Sequence, residues 1–170
     1  MSPQTKQRPS DPIAEAQRQW VAHGWEHAAP GMAAVVSLVR VHQLMMSRIE
    51  HELKPFGITF SRFELLALLM FSSSRALPMS KVSARLQVHP ASVTNTVDRL
   101  VNDGLVERHP NPDDGRGLLV GITDQGIALV HSAAAVLNQV FTDLGLDEAE
   151  RDQLTGLCNT YRRAAGDLTD

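Results

Sequence analysis

The sequence predicts a mainly α fold, a winged helix-turn-helix flanked by N- and C-terminal helices that build a dimerisation bundle, and three observations predict it. Between Pro78 and Gly104 two short stretches of helical period are separated by Gln87-Val88-His89 and restarted by Pro90. After Gly104 the period changes to two short apolar runs around a tip rich in turn formers, Pro110 to Gly117, which reads as a hairpin. After this core, two C-terminal helices carry more apolar surface than a small winged helix leaves them to cover, so a second copy is expected to cover it.

The elements follow in chain order. Residues 1–11 are polar and proline-bearing and read as a disordered tail. Asp11 and Pro12 offer an N-cap and a first-turn proline for a helix over Ile13–His27, anchored by Ile13, Ala16, Trp20 and Trp25. Two indoles exceed what a solvated helix needs. The segment is therefore expected to pack on the body or on a partner subunit, or else to place Trp20 in a ligand pocket. His23 and His27 stand at i and i+4, a spacing that can share a metal ion. With no cysteine nearby, and with Gly24 and Pro30 interrupting the region, they read as ordinary interfacial histidines and no metal site is assigned.

Gly31–Lys54 is the next helix, with a wide, methionine-containing apolar stripe from Met32 to Leu53. Arg40, His42, Gln43 and Arg48 are its polar members. His42 falls on or beside the stripe, either as a hydrogen-bonded core histidine or as a ligand contact. Pro55 ends this helix. Thr59 or Ser61 caps another that is apolar nearly all round, from Phe63 to Phe71, the pattern of burial at the centre of a domain. Arg62 lies in its first turn, where the helix dipole disfavours a cation; simple solvent exposure, a DNA phosphate or an acidic ligand would relieve it.

Ser80 is the expected N-cap of the first helix of the helix-turn-helix, which carries Val82, Ala84 and Leu86. The second runs from Pro90 to about Asp103 and stops at Gly104. One face holds Val93, Val97, Leu100 and Val101. The other shows Ser92, Thr94, Asn95 and Arg99, side chains suited to base edges and phosphates in a major groove. Leu105–His109 and Leu118–Ile122 are the expected strands of the wing. Thr123 then caps a helix from Asp124, lined by Ile127, Val130, Ala134, Leu137, Val140 and Phe141. Gly145 breaks it, and Asp147, Glu148 and Glu150 open a last helix with Leu154, Leu157, Cys158 and Tyr161. Cys158, at helical spacing with two leucines, reads as a small core residue. The domain reading is a tail (1–11), N-terminal helices for dimerisation and a ligand pocket (12–54), a winged helix (55–123) and C-terminal dimerisation helices (124–170).

Composition sets bounds. Of 170 residues 43% are apolar and 21% charged, ordinary for a soluble globular chain. No apolar run could span a bilayer, and the N-terminus lacks the apolar centre of a signal peptide. One cysteine allows no intrachain disulfide, and a cytoplasmic location follows as the default. The net charge of −3 is unusual for a nucleic-acid binder, but placement matters more than the total. From Arg75 to His109, Arg75, Lys81, Arg85, Arg99 and Arg108 outnumber Asp98, Asp103 and Glu107. The partner expected is double-stranded DNA, bound with moderate, salt-sensitive affinity. Ser92, Thr94 and Asn95 would read bases, and Lys81, Arg85 and Arg99 would meet phosphates. Arg116 at the wing tip would enter a minor groove, with Asp114 orienting its guanidinium. No glycine loop, metal-ligand set or nucleophile with a base partner is present, so neither an enzyme nor a cofactor is expected. The alternative is a winged helix used only for protein contacts, which would require an apolar outward face on helix 90–103.

Several segments together resemble the MarR family of ligand-responsive transcription regulators: Leu53–Thr59, Phe63–Phe71, Val93–Leu100, Asp103–Arg108, Asp114–Gly117 and Ile122–Gly126, spanning about residues 32–166. The resemblance implies a homodimer on near-palindromic operators, usually a repressor relieved by a small molecule. Trp20, Arg40, His42, Arg48 and Arg62 are then the candidates for the effector site, and their excess of cations points to an anionic or aromatic ligand. The chain departs from the pattern at Gly115 and Gly117, where many relatives carry larger or basic residues, and at Val101, where an acid is common. Peroxide-sensing relatives place their cysteine in the N-terminal helix, where this chain has none.

Overall fold

The helix-turn-helix and its two wing strands stand where their sequence signals put them in a computed structural model that describes residues 11–112 and 117–168. The tail 1–10, the wing tip 113–116 with Asp114 and Arg116, and the last two residues lie outside the described residues. The chain order is α1 (Pro12–Ala22), α2 (Ala29–Leu53), α3 (Phe60–Phe71), β1 (Ala76–Pro78), α4 (Met79–Leu86), α5 (Pro90–Asn102), β2 (Val106–Pro110), β3 (Leu118–Ile122), α6 (Asp124–Thr142) and α7 (Glu148–Ala164). Contacts divide it into two compact units that meet between His51 and Glu52 in sequence.

In the first unit Asp11 caps α1 by accepting from the Ile13 amide. The helix is shorter than its apolar pattern predicts. It ends at Ala22 because Gly24 takes a left-handed φ of +81° and turns the chain, which leaves Trp25 beyond the helix. The two indoles pack on each other, edge to face at 5.3 Å, and the His23 ring stacks on Trp25 at 5.8 Å. His23 Nδ1 also lies 2.7 Å from the Gln19 carbonyl. On α2, Val35, Leu38, Val39 and Leu44 are exposed, as is His42, which therefore lies in no core of this chain.

The second unit holds the main core. α3 buries Leu65, Leu66, Ala67 and Leu69 and packs on α4, α5, α6 and the sheet. It is not buried all round, since Phe71 at its end is 78% exposed. Val82, Val93, Val97, Leu100, Val120, Val130 and Leu137 fill the same core. The sheet is antiparallel in the order β1-β3-β2, with Leu77 opposite Val120 and Arg108 opposite Val120 on the other side. β1 has no sequence signal of its own: three residues ending in proline show no period, and the strand exists because β3 offers it an edge. It also corrects the expected N-cap of α4. The helix starts at Met79 straight from the strand, with Pro78 at the cap position and no side-chain cap, and Ser80 lies inside the first turn.

After the wing, Thr123 caps α6 as expected, accepting from the Gly126 amide at 3.1 Å and donating to the Gly104 carbonyl at 2.8 Å. Gly126 sits where the Leu105 backbone passes closest. α7 opens with a capping box in which Asp147 and Glu150 each bond the other's backbone amide. No residue of α7 is buried; Leu157 and Tyr161 are 64% and 72% exposed. Cys158 shares that bare helix and is exposed, a correction to its reading as a core residue: helical spacing marks a face, and none of the described residues buries this one.

Candidate nucleic-acid interface

Helix α5 is positioned by a turn that hydrogen bonds close at both ends. Gln87 ends α4 with a left-handed φ of +54°. Buried Ser83 then bonds Val88 twice, its hydroxyl donating to the Val88 carbonyl at 2.7 Å and its carbonyl accepting from the Val88 amide at 3.2 Å. His89 is more than turn filler. It is the N-cap of α5, its ring nitrogen accepting from the Ala91 amide at 3.2 Å, with Pro90 at the first helical position. Val93, Val97 and Leu100 are buried at 2%, 0% and 0% exposure, and this fixes the rotation of α5 about its axis. Ser92, Thr94, Asn95 and Arg99 are consequently brought together on its exposed side. The Thr94 hydroxyl donates to the Pro90 carbonyl at 3.1 Å, so it meets a ligand as an acceptor or through its methyl group.

Two acids of this region are paired with arginines of the chain. Arg108 of β2 bonds Asp98 of α5 and ties wing to reading helix. Glu107 lies 3.0 Å from His109 Nε2 on the same strand. Arg62 of α3 meets Asp103 at 3.5 Å, across forty-one positions of sequence. The anion expected near Arg62 is thus a carboxylate of the chain, which corrects its reading as simply solvated. Lys81, Arg85 and Arg99 are exposed and make no ion pair with any described residue. Three exposed cations on α4 and α5 thus accompany a polar helix face whose own acids are paired with arginines. Neither long-range pairing is visible in the sequence, because each joins elements that only the fold brings together.

The candidate effector residues fall in both units. Trp20 is engaged with Trp25 in the first unit. Arg40, His42 and Arg48 are exposed along α2, with Arg40 bonded to Gln43, and Arg62 lies in the second unit on Asp103. A cleft of about 130 Å³ does open within the second unit, between α3, the turn and α5, lined by Ser61, Glu64, Val88, Ser92 and Thr96 among others. Desolvation there pushes the Glu64 carboxyl above its usual value. At pH 7 the ionised group carries that cost in the folded state only. It disappears once the pH falls below the unfolded carboxylate value and Glu64 is protonated in both states. Glu64→Gln is therefore expected to raise the Tm at pH 7 by about 1–2 °C, solvent screening most of the penalty, and to lose this advantage near pH 4. Equal Tm changes at both pH values would show that desolvation is not the cause.

Fold and face together define a winged helix-turn-helix protein of the DNA-binding class. The sequence model of the MarR family matches residues 56–117. The HTH-type transcriptional regulator YhbI of Bacillus subtilis is 34% identical over 123 residues, covering 71% of this chain and 74% of that protein. Among solved structures, Sco5413, a MarR family transcriptional regulator from Streptomyces coelicolor, is 45% identical with a TM-score of 0.75, covering 83% of this chain and 99% of that one. A mutant MarR from Escherichia coli complexed with operator DNA is 27% identical with a TM-score of 0.64, covering 75% of this chain and 95% of that one. The chain belongs to the MarR family. It is a DNA-binding transcriptional regulator and not an enzyme.

Proposed function

We propose that the protein is a homodimeric repressor that binds a near-palindromic operator and is released by a small anionic or aromatic ligand. The observation that carries the DNA reading is the charge pattern: Asp98 and Asp103 are paired with arginines of the chain, while Lys81 and Arg85 of α4 and Arg99 of α5 are exposed beside no acid of the described residues. In this reading Ser92, Thr94 and Asn95 contact base edges, and Asn95 pairs bidentately with adenine. Lys81, Arg85 and Arg99 contact phosphates, and Arg116, oriented by Asp114, enters the minor groove from the wing. A similar solved structure is complexed with operator DNA, which supports DNA as the partner.

Dimerisation is supported by the bare apolar faces of α7 and α2, where Leu157, Tyr161, Val35 and Leu38 are each more than half exposed. Residues 12–54 and 124–170 supply the dimer segments, and 55–123 the reading head. A two-fold axis would place two copies of α5 about one helical turn of DNA apart. Among the described residues no helix is long and apolar enough to cross a membrane, and the place of action proposed is the cytoplasm. The effector candidates are Trp20, Arg40, His42 and Arg48 in the first unit, while Arg62 already meets Asp103; the ligand would bind one dimer conformation better and shift the spacing of the reading helices.

The test is binding to the duplex flanking the protein's own gene, with selection from random duplexes beside it. The expected result is a palindromic site bound with affinity that falls by orders of magnitude between 50 and 200 mM salt, roughly as for 6–10 phosphate contacts. Recovery of no sequence from the selection would overturn the reading. A thermal-shift panel of carboxylates and phenolic acids tests the effector separately.

A further inference from the structure

The C-terminal end of α7 reaches the turn of the helix-turn-helix. α7 closes with a full Schellman arrangement: Gly166, at φ +74°, donates its amide to the Arg163 carbonyl, and Asp167 donates its amide to the Arg162 carbonyl at 2.9 Å. The backbone of Asp167 is thereby fixed, and its carboxylate is shared between two partners. Arg162 Nε donates to one oxygen at 2.6 Å, and Gln87 Nε2 donates to the other at 2.9 Å. Gln87 is the left-handed residue that ends α4, three positions before the first residue of α5. It holds a conformation that a side chain other than glycine adopts at a cost, so whatever fastens its side chain also fastens the turn.

We propose that Asp167, set by Arg162 and the Schellman turn, is a positioning residue for DNA reading: it anchors Gln87 and so sets where α5 begins. The proposal rests on the reading of α5 as the DNA-contacting helix, and it deepens that reading by linking the helix to α7, whose apolar face is offered to a second copy. A shift of α7 on dimer rearrangement would be passed to the reading helix through a single carboxylate. The Arg162–Asp167 pair is about two-fifths exposed and is worth little to stability. Its effect belongs in the position of the turn, not in the unfolding temperature.

Electrostatics and positioning predict opposite signs for Asp167→Ala. Removing a carboxylate and freeing Arg162 would by charge alone tighten binding to a polyanion. Positioning predicts weaker binding. In full-length protein, Asp167→Ala and Gln87→Ala are each expected to weaken binding to the selected duplex about three- to tenfold. The double variant should be no weaker than either single one, and non-specific binding and Tm should be unchanged. Hydrogen exchange on the free protein gives a readout without DNA: the Val88 and Ala91 amides should exchange faster in Asp167→Ala, while amides within α3 do not change. Wild-type or tighter specific binding by Asp167→Ala, additive losses in the double variant, or unchanged exchange at Val88 and Ala91 would each overturn the tether. Failure of the wild type to bind any duplex would instead refute the DNA reading, and the exchange experiment would still decide whether Asp167 holds the turn.

Discussion

Asn95→Ala is expected to weaken operator binding by about 1–3 kcal/mol, roughly 5- to 150-fold, and to relax the base preference at one position of each half-site. The side chain is exposed on α5, on the face opposite buried Val93, Val97 and Leu100, and a carboxamide matches the donor and acceptor of adenine in the major groove. It releases no counterion, so the slope of log affinity against log salt should stay constant. Lys81→Ala should instead lower that slope by about one and weaken all sequences alike. Titrations of wild type and both variants at three salt concentrations, on the selected duplex and on a scrambled one, separate the two effects. A change of slope in Asn95→Ala, or an equal loss on the scrambled duplex, would move Asn95 from the base-reading group to the phosphate-contacting one.

Gly126→Ala is expected to destabilise the second unit by about 2–3 kcal/mol, a fall in Tm of about 5–10 °C for a chain of this length. Two effects compete. Alanine is the better helix former by about 1 kcal/mol, so an unobstructed site would gain stability. Here a Cβ would lie 2.3 Å from the Leu105 carbonyl oxygen and 2.7 Å from Ile122 Cγ1. The carbonyl cannot readily withdraw, since it accepts the Thr123 amide at 3.1 Å, and Thr123 in turn caps α6 and bonds Gly104. The first turn of α6 would have to part from the start of the wing, with loss of the cap. Urea unfolding followed by far-ultraviolet dichroism measures the change, and a gain in stability would refute the close approach.

Much of the architecture was legible because its signals are local. Pro90 and Gly104 bracket α5 within a residue or two, and Gly104 has the left-handed φ of +70° that a helix stop requires. Thr123 caps α6, and β3 falls on Leu118–Ile122, because a cap or an apolar run acts on neighbours a few positions away. The polar face of α5 could be read for the same reason: the helical period alone sorts Ser92, Asn95 and Arg99 from Val93 and Leu100. Family membership was legible in the ordered set of short motifs from Leu53 to Gly126.

What the tertiary structure decided is which groups meet across long stretches of chain. β1 is a strand only because β3 has an unpaired edge, and by starting α4 at Met79 it displaces Ser80 from the cap. Arg62 finds Asp103, Arg108 finds Asp98 and Gln87 finds Asp167 only once the helices are packed, so the charge of the DNA-facing surface cannot be counted from composition. Cys158 has the spacing of a core residue yet lies exposed, because spacing states which residues share a face and not what covers it. Most elements, the polar face of α5 and the family are written in local sequence. The packing sets which acids meet arginines, which cations are left without an acid and which side chain meets Gln87, because a side chain's charge is local while its partner is set by the path of the whole chain.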